Sequence, residues 1–276
     1  MLSALKHGFR DAMRLDVVLP LYLWGLLLGL VQTWPLLGAA RYGALNNPFA
    51  GQLATGGADA LVNLFLGSPA ARAQAGIWGL ALVGLLLVYS LGYNFISGGM
   101  LNVWADKSSF GRGGMWAFWS FTGLGALLVL LALLAIGIAA AVAAFGVGAQ
   151  ASVMVAAVLL QIINMVGEYA RAIAVVENRR NPLTLLGRAF AFCARRPGTL
   201  LLALMGVLLN AALAFVAVRA LPMVEGGVVA VVVQQALTFG WVWVKALRLA
   251  WALNYVETAD ARQLARPLEA VLGTVR

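Results

Sequence analysis

The sequence predicts an all-α integral membrane protein. Of its 276 residues, 63% are apolar and 11% are charged, whereas soluble domains carry about a quarter charged residues. Its mean hydropathy is +0.92. The apolar residues also fall into separate runs of about 20 residues, the length of a bilayer-spanning helix. These observations leave room for no separate soluble domain within residues 1–276, which we expect to form a single membrane domain.

Apolar windows of about 20 residues place six transmembrane helices along the chain. They cover residues 16–39, 77–97, 115–144, 151–170, 199–218 and 227–249. Each window is long enough to cross the hydrocarbon core once. The third window is longer than a bilayer requires, so we expect that helix to tilt or to extend beyond the lipid.

Basic residues indicate the orientation of these spans. The N-terminal segment, alternate connections and the C-terminal segment hold all but three of the 19 lysine and arginine residues. The exceptions are Arg41, Arg72 and Arg219. The positive-inside rule therefore places both termini in the cytoplasm. Because topology accounts for the net charge of +9, we expect no nucleic-acid partner.

The longest connection on the outer side is predicted to cover residues 40–75. Its apolar stretch Ala60–Leu66 lies between turn-forming pairs such as Asn47-Pro48 and Ser68-Pro69. We expect a short interfacial helix there, and a re-entrant helix is the alternative.

A cytoplasmic amphipathic helix is predicted over residues 182–196. Asn181 is a suitable N-cap, and Pro182 suits the first helical position. Leu185, Ala189 and Cys193 fall on its apolar face. Three arginines are the expected contacts to anionic lipid headgroups: Arg188, Arg195 and Arg196.

The cytoplasmic segments resemble one another. The segment Leu5–Phe9 followed by Arg14 matches Leu186–Phe190 followed by Arg195 at identical spacing, and Phe110–Gly113 is a weaker third copy. The second, fourth and sixth spans also end alike, in Leu101–Asp106, Ile173–Glu177 and Leu253–Glu257. The pattern suggests a pseudo-threefold repeat of three hairpins, each preceded by an amphipathic helix. The alternative is that any apolar helix leaving a membrane ends in this way.

All three even-numbered spans carry a polar stripe at helical spacing, and the weakest is the set Ser90, Asn94 and Ser97 in span two. Ionisable groups at membrane depth usually face a bundle interior and a partner. We therefore expect Glu168 to pair with Lys245 or Arg248 around a polar cavity that opens to the cytoplasm. Hydrogen bonding between helices is the purely structural alternative. The candidate site comprises Gln161, Asn164, Glu168 and Arg171 in span four and Gln234, Thr238, Lys245 and Arg248 in span six.

Residues suited to catalysis are scarce in the sequence. His7 is the single histidine and Cys193 the single cysteine, so we expect no metal site and no intramolecular disulfide. The sequence also lacks a phosphate-binding loop and an HExxH motif. We expect no cofactor and no enzymatic activity.

Three segments carry a resemblance to a protein family. They are Glu168–Arg171, Val175–Glu177 and the run from Asn181 to Pro197. Over these residues the chain resembles uncharacterised six-span bacterial membrane proteins, which are similar to the membrane domain attached to some glycerophosphodiester phosphodiesterases. The resemblance implies a bacterial plasma (inner) membrane location. The phosphodiesterase domain itself has no counterpart here, so the resemblance implies no such activity.

The sequence favours a non-enzymatic polytopic membrane protein that acts as a subunit, scaffold or accessory of a larger membrane assembly. Its expected partners are membrane lipids with anionic headgroups and either a membrane protein or a second copy of the chain. The alternative is a small transporter, channel or lipid-handling protein that uses the polar cavity between the even-numbered spans.

Overall fold

The computed structural model describes residues 1–46, 69–144, 148–220 and 227–273. Within these ranges the regular structure is helical and contains no strand, which confirms the all-α class. The helices described are α1 (Leu2–Ala12), α2 (Leu15–Asn46), α3 (Pro69–Trp104), α4 (Phe110–Ala144), α5 (Ala149–Val176), α6 (Pro182–Arg195), α7 (Pro197–Ala220) and α8 (Gly227–Gly273).

Several of these helices are long and apolar enough to cross a membrane. Among the described residues, four qualify singly: Val83–Trp104 in α3, and nearly the whole of α4, α5 and α7. The segments Leu2–Ala12 and Leu15–Val31, bent by 66°, make a fifth candidate if they count as one span. The chain is thus a multi-pass membrane protein. The described part of α8 is not among these candidates, because Gln234, Gln235, Lys245 and Arg248 dilute its apolar residues.

The helices extend beyond the predicted windows. Residues 40–75 were expected to form one outside loop, but α2 continues to Asn46 and α3 begins at Pro69. Hydropathy windows stop at charged residues such as Arg41 and Arg72, whereas a helix follows backbone hydrogen bonds and can continue past a charged residue. Pro69 suits a first helical position. The predicted interfacial helix at Ala60–Leu66 lies outside the described residues.

The chain divides into two compact units. The first comprises Met1–Tyr22 with Asn94–Arg276, and the second comprises Leu23–Tyr93. In the second unit α2 and α3 approach closely, since a Cβ added to Gly92 would lie 2.2 Å from the Trp24 ring. The single membrane domain therefore stays a prediction.

The first unit is packed tightly at one end of its helices only. Residues 165–175 of α5 and 246–253 of α8 are buried, whereas residues 153–164 and 231–236 of the same helices contain no buried position. We call these regions the packed end and the open end. The amphipathic helices α1 and α6 both lie at the packed end, α1 against α8 and α6 against α5.

Helix α6 closely follows the predicted helix 182–196. The Asn181 side-chain oxygen accepts hydrogen bonds from the backbone N–H groups of Leu183 and Thr184 at 3.1 and 3.3 Å. Leu185 and Ala189 are fully buried. The following residue, Arg196, has extended backbone and ends the helix one residue earlier than expected.

Helices α3 and α5 end in the same turn. Asp106 and Asn178 have φ angles of 52° and 54°, in the left-handed region that Asp and Asn tolerate best among non-glycine residues. The next residues, Lys107 and Arg179, donate their N–H groups to carbonyls five residues back, as in a Schellman motif. In α8 the aligned residue is Thr258, a β-branched residue that disfavours this conformation, and the helix continues.

Candidate functional site

An ion pair joins α5 to α8 at the packed end. Glu168 Oε1 lies 2.9 Å from Arg248 Nη2, and both side chains are 8% exposed. Of the two partners expected for Glu168, Arg248 thus forms an ion pair with it. Its side chain lies against α7, because a Cβ added to Gly206 would come within 2.7 Å of Arg248 Cδ.

The ion pair lines a small cavity between α5, α7 and α8. Tyr169, Trp251 and three apolar residues complete its wall. Its volume is about 10 Å³, close to the room that a single water molecule needs. A cavity of this size accommodates no organic substrate.

Several polar atoms of the cavity wall have no protein partner. Tyr169 Oη, Trp251 Nε1 and Arg248 Nε are buried without a hydrogen bond to any described residue. Each such group costs about 1–3 kcal/mol if it stays unsatisfied. The wall therefore favours a small polar occupant that accepts hydrogen bonds. The predicted stripes did not include Tyr169 or Trp251, because aromatic residues at helical spacing usually belong to the core.

Aromatic rings cover this cavity. The rings of Tyr169, Phe192 and Tyr255 lie with centroids 5.6 to 6.3 Å apart. The Arg196 guanidinium carbon lies 4.5 Å from the Phe192 ring centroid. Gly198 allows this packing, since a Cβ there would lie 2.5 Å from Tyr255 Oη. The expected opening of the site toward the cytoplasm stays a prediction.

Arg171 connects α5 to α3 and α4. Its Nη2 lies 3.5 Å from the Asn94 side-chain oxygen, and its Nη1 lies 3.4 Å from the Gly167 carbonyl oxygen. The guanidinium also lies 5.9 Å from the centroid of the Phe121 ring. Arg171 is therefore held by α3, α4 and its own helix, whereas Arg248 lies against α7.

The uncharged stripe residues lie toward the open end. Thr238 donates to the carbonyl oxygen of Gln234 in its own helix at 2.9 Å. Asn164 and the Gln234 side chain are exposed, and Gln161 is half-buried. Lys245 is half-buried as well. The structure thus separates the stripes into a buried charged cluster at the packed end and dispersed amides toward the open end.

A second polar contact escaped the sequence analysis. Tyr22 Oη donates to the Gln235 side-chain oxygen at 2.8 Å, joining the start of α2 to α8. The stripe in α8 was built from Gln234, one residue earlier, because its spacing from Thr238 fits a helix turn. The glutamine that contacts Tyr22 is the adjacent residue, Gln235.

The three arginines expected at lipid headgroups differ in their surroundings. Arg188 forms an ion pair with Glu177, which also holds Arg179 at 3.1 Å. Arg196 lies over Phe192. Arg195 is exposed and makes no hydrogen bond or ion pair with a described residue. Of the three, Arg195 is therefore the side chain most available to a ligand.

Neither metal ligands nor a reactive thiol occur in the described part of the chain. Its His, Cys, Asp and Glu residues form no group of three or more that could hold a metal ion. Burial raises the pKa of the Cys193 thiol to about 11, although a hydrogen bond with Thr199 opposes the shift. A thiol with this pKa stays neutral at pH 7 and is a poor nucleophile.

Comparison with known proteins gives no family for this chain. No family model matches it, and neither a curated protein nor a solved structure matches it. The site must therefore be interpreted from its own geometry.

Proposed function

We propose that this chain is a six-span protein of a bacterial plasma membrane that acts as a subunit, scaffold or accessory of a larger membrane assembly, without enzymatic activity. The proposal is supported by how the polar residues are used. The buried charges hold helices to one another, and the cavity beside them is too small for an organic substrate.

The observation that carries the proposal is the exposure of amides within apolar helices. Asn164 is exposed near the middle of α5, and Gln234 is exposed among the valines of α8. An amide that faces hydrocarbon lacks the hydrogen-bond partners that water would supply. A polar group on a neighbouring helix supplies one, at about 1 kcal/mol per bond. A membrane-protein partner or a second copy of the chain would provide such a helix.

Packing at the packed end supports the proposed pseudo-threefold repeat. In each proposed repeat, the segment that leads into an odd-numbered span lies on an even-numbered span: the start of α4 on α3, α6 on α5, and α1 on α8. The aligned residues at these contacts, Gly8, Gly113 and Ala189, are small and buried. On this proposal α8 is the sixth span, and both termini are cytoplasmic.

The resemblance to uncharacterised six-span bacterial proteins agrees with this proposal and adds no activity to it. Basic side chains on α6 fit contacts with anionic lipid headgroups on the cytoplasmic side. The proposed location is thus the bacterial inner membrane, with lipids as surrounding partners.

The proposal is tested by native-membrane purification through a C-terminal tag in mild detergent, followed by mass spectrometry. The test variant combines Asn164→Leu with Gln234→Leu. Its matched control combines Val158→Leu with Val232→Leu, because both valines are exposed on the same two helices. We expect a stoichiometric protein partner, or a second copy, with the wild type and the control, and at least tenfold less with the test variant. A monomer in all three preparations contradicts the proposal.

The second candidate function is a small transporter, channel or lipid-handling protein. The unpartnered donors of Tyr169, Trp251 and Arg248 favour it, because they surround a polar cavity at membrane depth. In liposomes, Glu168→Gln or Lys245→Met should then abolish solute or lipid flux while the protein still folds. Unchanged flux in both variants rules this function out.

A further inference from the structure

An apolar groove runs along the surface where α5, α6 and α7 meet. Its volume is about 420 Å³, within the range of ligand sites. Its wall includes Ile162 and Val166 from α5, Phe190 and Ala194 from α6, and Pro197 and Leu200 from α7. Each of the three helices therefore contributes one side of the groove.

The few polar groups in the wall of the groove are already engaged. The Thr199 hydroxyl, which is 1% exposed, donates to the Arg196 carbonyl oxygen at 2.7 Å. The Cys193 thiol is held neutral by burial, which raises its pKa to about 11. The groove thus offers hydrocarbon contacts to its occupant.

The groove joins residues of the α6–α7 turn to residues of two candidate spans. Ala194 and Pro197 lie at the turn between α6 and α7, which leads from the amphipathic helix into a candidate span. Ile162 lies well inside the α5 candidate span, more than three helical turns before its end at Val176. An acyl chain has this placement, whereas a water-soluble ligand does not.

Two arginines at the end of α6 adjoin the groove. Arg195 and Arg196 stand between the wall residues Ala194 and Pro197, and Arg195 is exposed without a described partner. No residue in the wall is acidic. The carboxylate that interacts with the wall residue Cys193 is Glu168, which is paired with Arg248. This charge favours an anionic headgroup over a zwitterionic one.

We propose that this groove binds one anionic phospholipid, with an acyl chain between α5 and α7 and its phosphate at Arg195 and Arg196. The site goes beyond the proposed assembly function and does not depend on it. Arg195 has the larger role in headgroup binding, because Arg196 is partly engaged by the Phe192 ring.

The groove is tested by blocking it. Ala194→Trp places a large ring in the wall, and the control Ala191→Trp places the same ring at an exposed α6 position outside the groove. Each protein is purified in mild detergent, incubated with phosphatidylglycerol or phosphatidylcholine, and measured by native mass spectrometry. We expect one saturable phosphatidylglycerol on the wild type and the control, and at least tenfold weaker retention on Ala194→Trp. Equal retention by both tryptophan variants overturns the proposal.

A surface variant tests the headgroup contact without changing the wall. Arg195→Gln should weaken phosphatidylglycerol binding about fivefold, the equivalent of about 1 kcal/mol per basic residue near an anionic surface. Binding of phosphatidylcholine should be unchanged. The matched control is Arg112→Gln, which removes an exposed arginine from the start of α4. The proposal is contradicted if the wild type binds both lipids equally. It is also contradicted if Arg195→Gln and Arg112→Gln lose the same amount of phosphatidylglycerol binding. Both outcomes can be measured even if Ala194→Trp fails to fold.

Discussion

The packed end and the open end of the first unit belong to the same helices but use their side chains differently. In α5, the continuous stretch 165–175 is buried, whereas positions 153–164 are exposed or half-buried. The charged residues Glu168, Arg171 and Arg248 all lie in the buried part. Apolar character alone therefore does not decide which part of a membrane helix is packed against protein, because lipid solvates an apolar side chain as well as another helix does.

The difference between the packed end and the open end predicts the largest loss of stability at the buried ion pair of Glu168 and Arg248. Glu168→Ala leaves Arg248 as an uncompensated buried charge, and we expect a loss of about 3–5 kcal/mol in the free energy of unfolding. Reversible unfolding in mixed detergent micelles measures this loss. The control Asn164→Ala, on the same helix at an exposed position, should change stability by less than about 0.5 kcal/mol.

A double variant then separates charge from packing. Glu168→Met combined with Arg248→Met removes both charges and should recover most of the lost stability, because apolar replacements of buried ion pairs are often neutral. A double variant as unstable as Glu168→Ala would show that the pair itself, and not the orphaned charge, holds the helices.

An intermediate loss of stability is expected for a substitution in the apolar core of the packed end. Leu247 is 1% exposed and packs with Ala12, Leu202 and Trp251. Leu247→Ala should cost about 2 kcal/mol, near the low end for buried leucines, because lipid instead of water surrounds the separated helices. Leu130→Ala in α4 is the matched control, since Leu130 is 62% exposed. Equal losses at the two leucines would mean that the two ends do not differ in packing.

The smallest change in stability is expected for Glu257, which lies at the packed-end contact between α1 and α8. Burial and, after it, the negative charge of Asp11 raise the pKa of the Glu257 carboxyl above 4.5. The folded state thus binds this proton more tightly than the unfolded state, so wild-type stability falls as the pH rises from about 4.5 through the raised pKa. Glu257→Gln should therefore be more stable than the wild type at neutral pH, and the gain should vanish at lower pH.

Thermal unfolding between pH 4 and pH 8 measures this difference. Solvent screening of the half-buried carboxylate keeps the gain below about 1 kcal/mol. Asp16→Asn, which changes an exposed carboxylate, serves as a control without a gain at neutral pH. A Glu257→Gln gain that grows on acidification would contradict the assigned sign.

Sequence reasoning succeeded where one local signal decides the structure. Asn181 and Pro182 specified the start of α6, and the helical spacing of Glu168 and Arg248 from their neighbours placed both on inward faces. The predicted spans did not give the ends of α2 and α3, because hydropathy depends on side chains whereas a helix is defined by its backbone hydrogen bonds. Helical periodicity also could not show that Gln235 finds a partner and Gln234 does not, since adjacent side chains differ by only about 100° around the helix.

The contact between α1 and α8 sets the order in which this protein can mature. Trp243 Nε1 donates to the Ala12 carbonyl oxygen at 3.1 Å, and the Asn254 side-chain amide donates to Asp11 at 2.9 Å. Both bonds join residues more than 230 positions apart along the chain. Because α1 is synthesised before α8, it must wait for α8 before this contact can form. During that interval the buried face of α1, including Gly8 and Ala12, has no native partner, and the nascent chain is most exposed to chaperones and proteases.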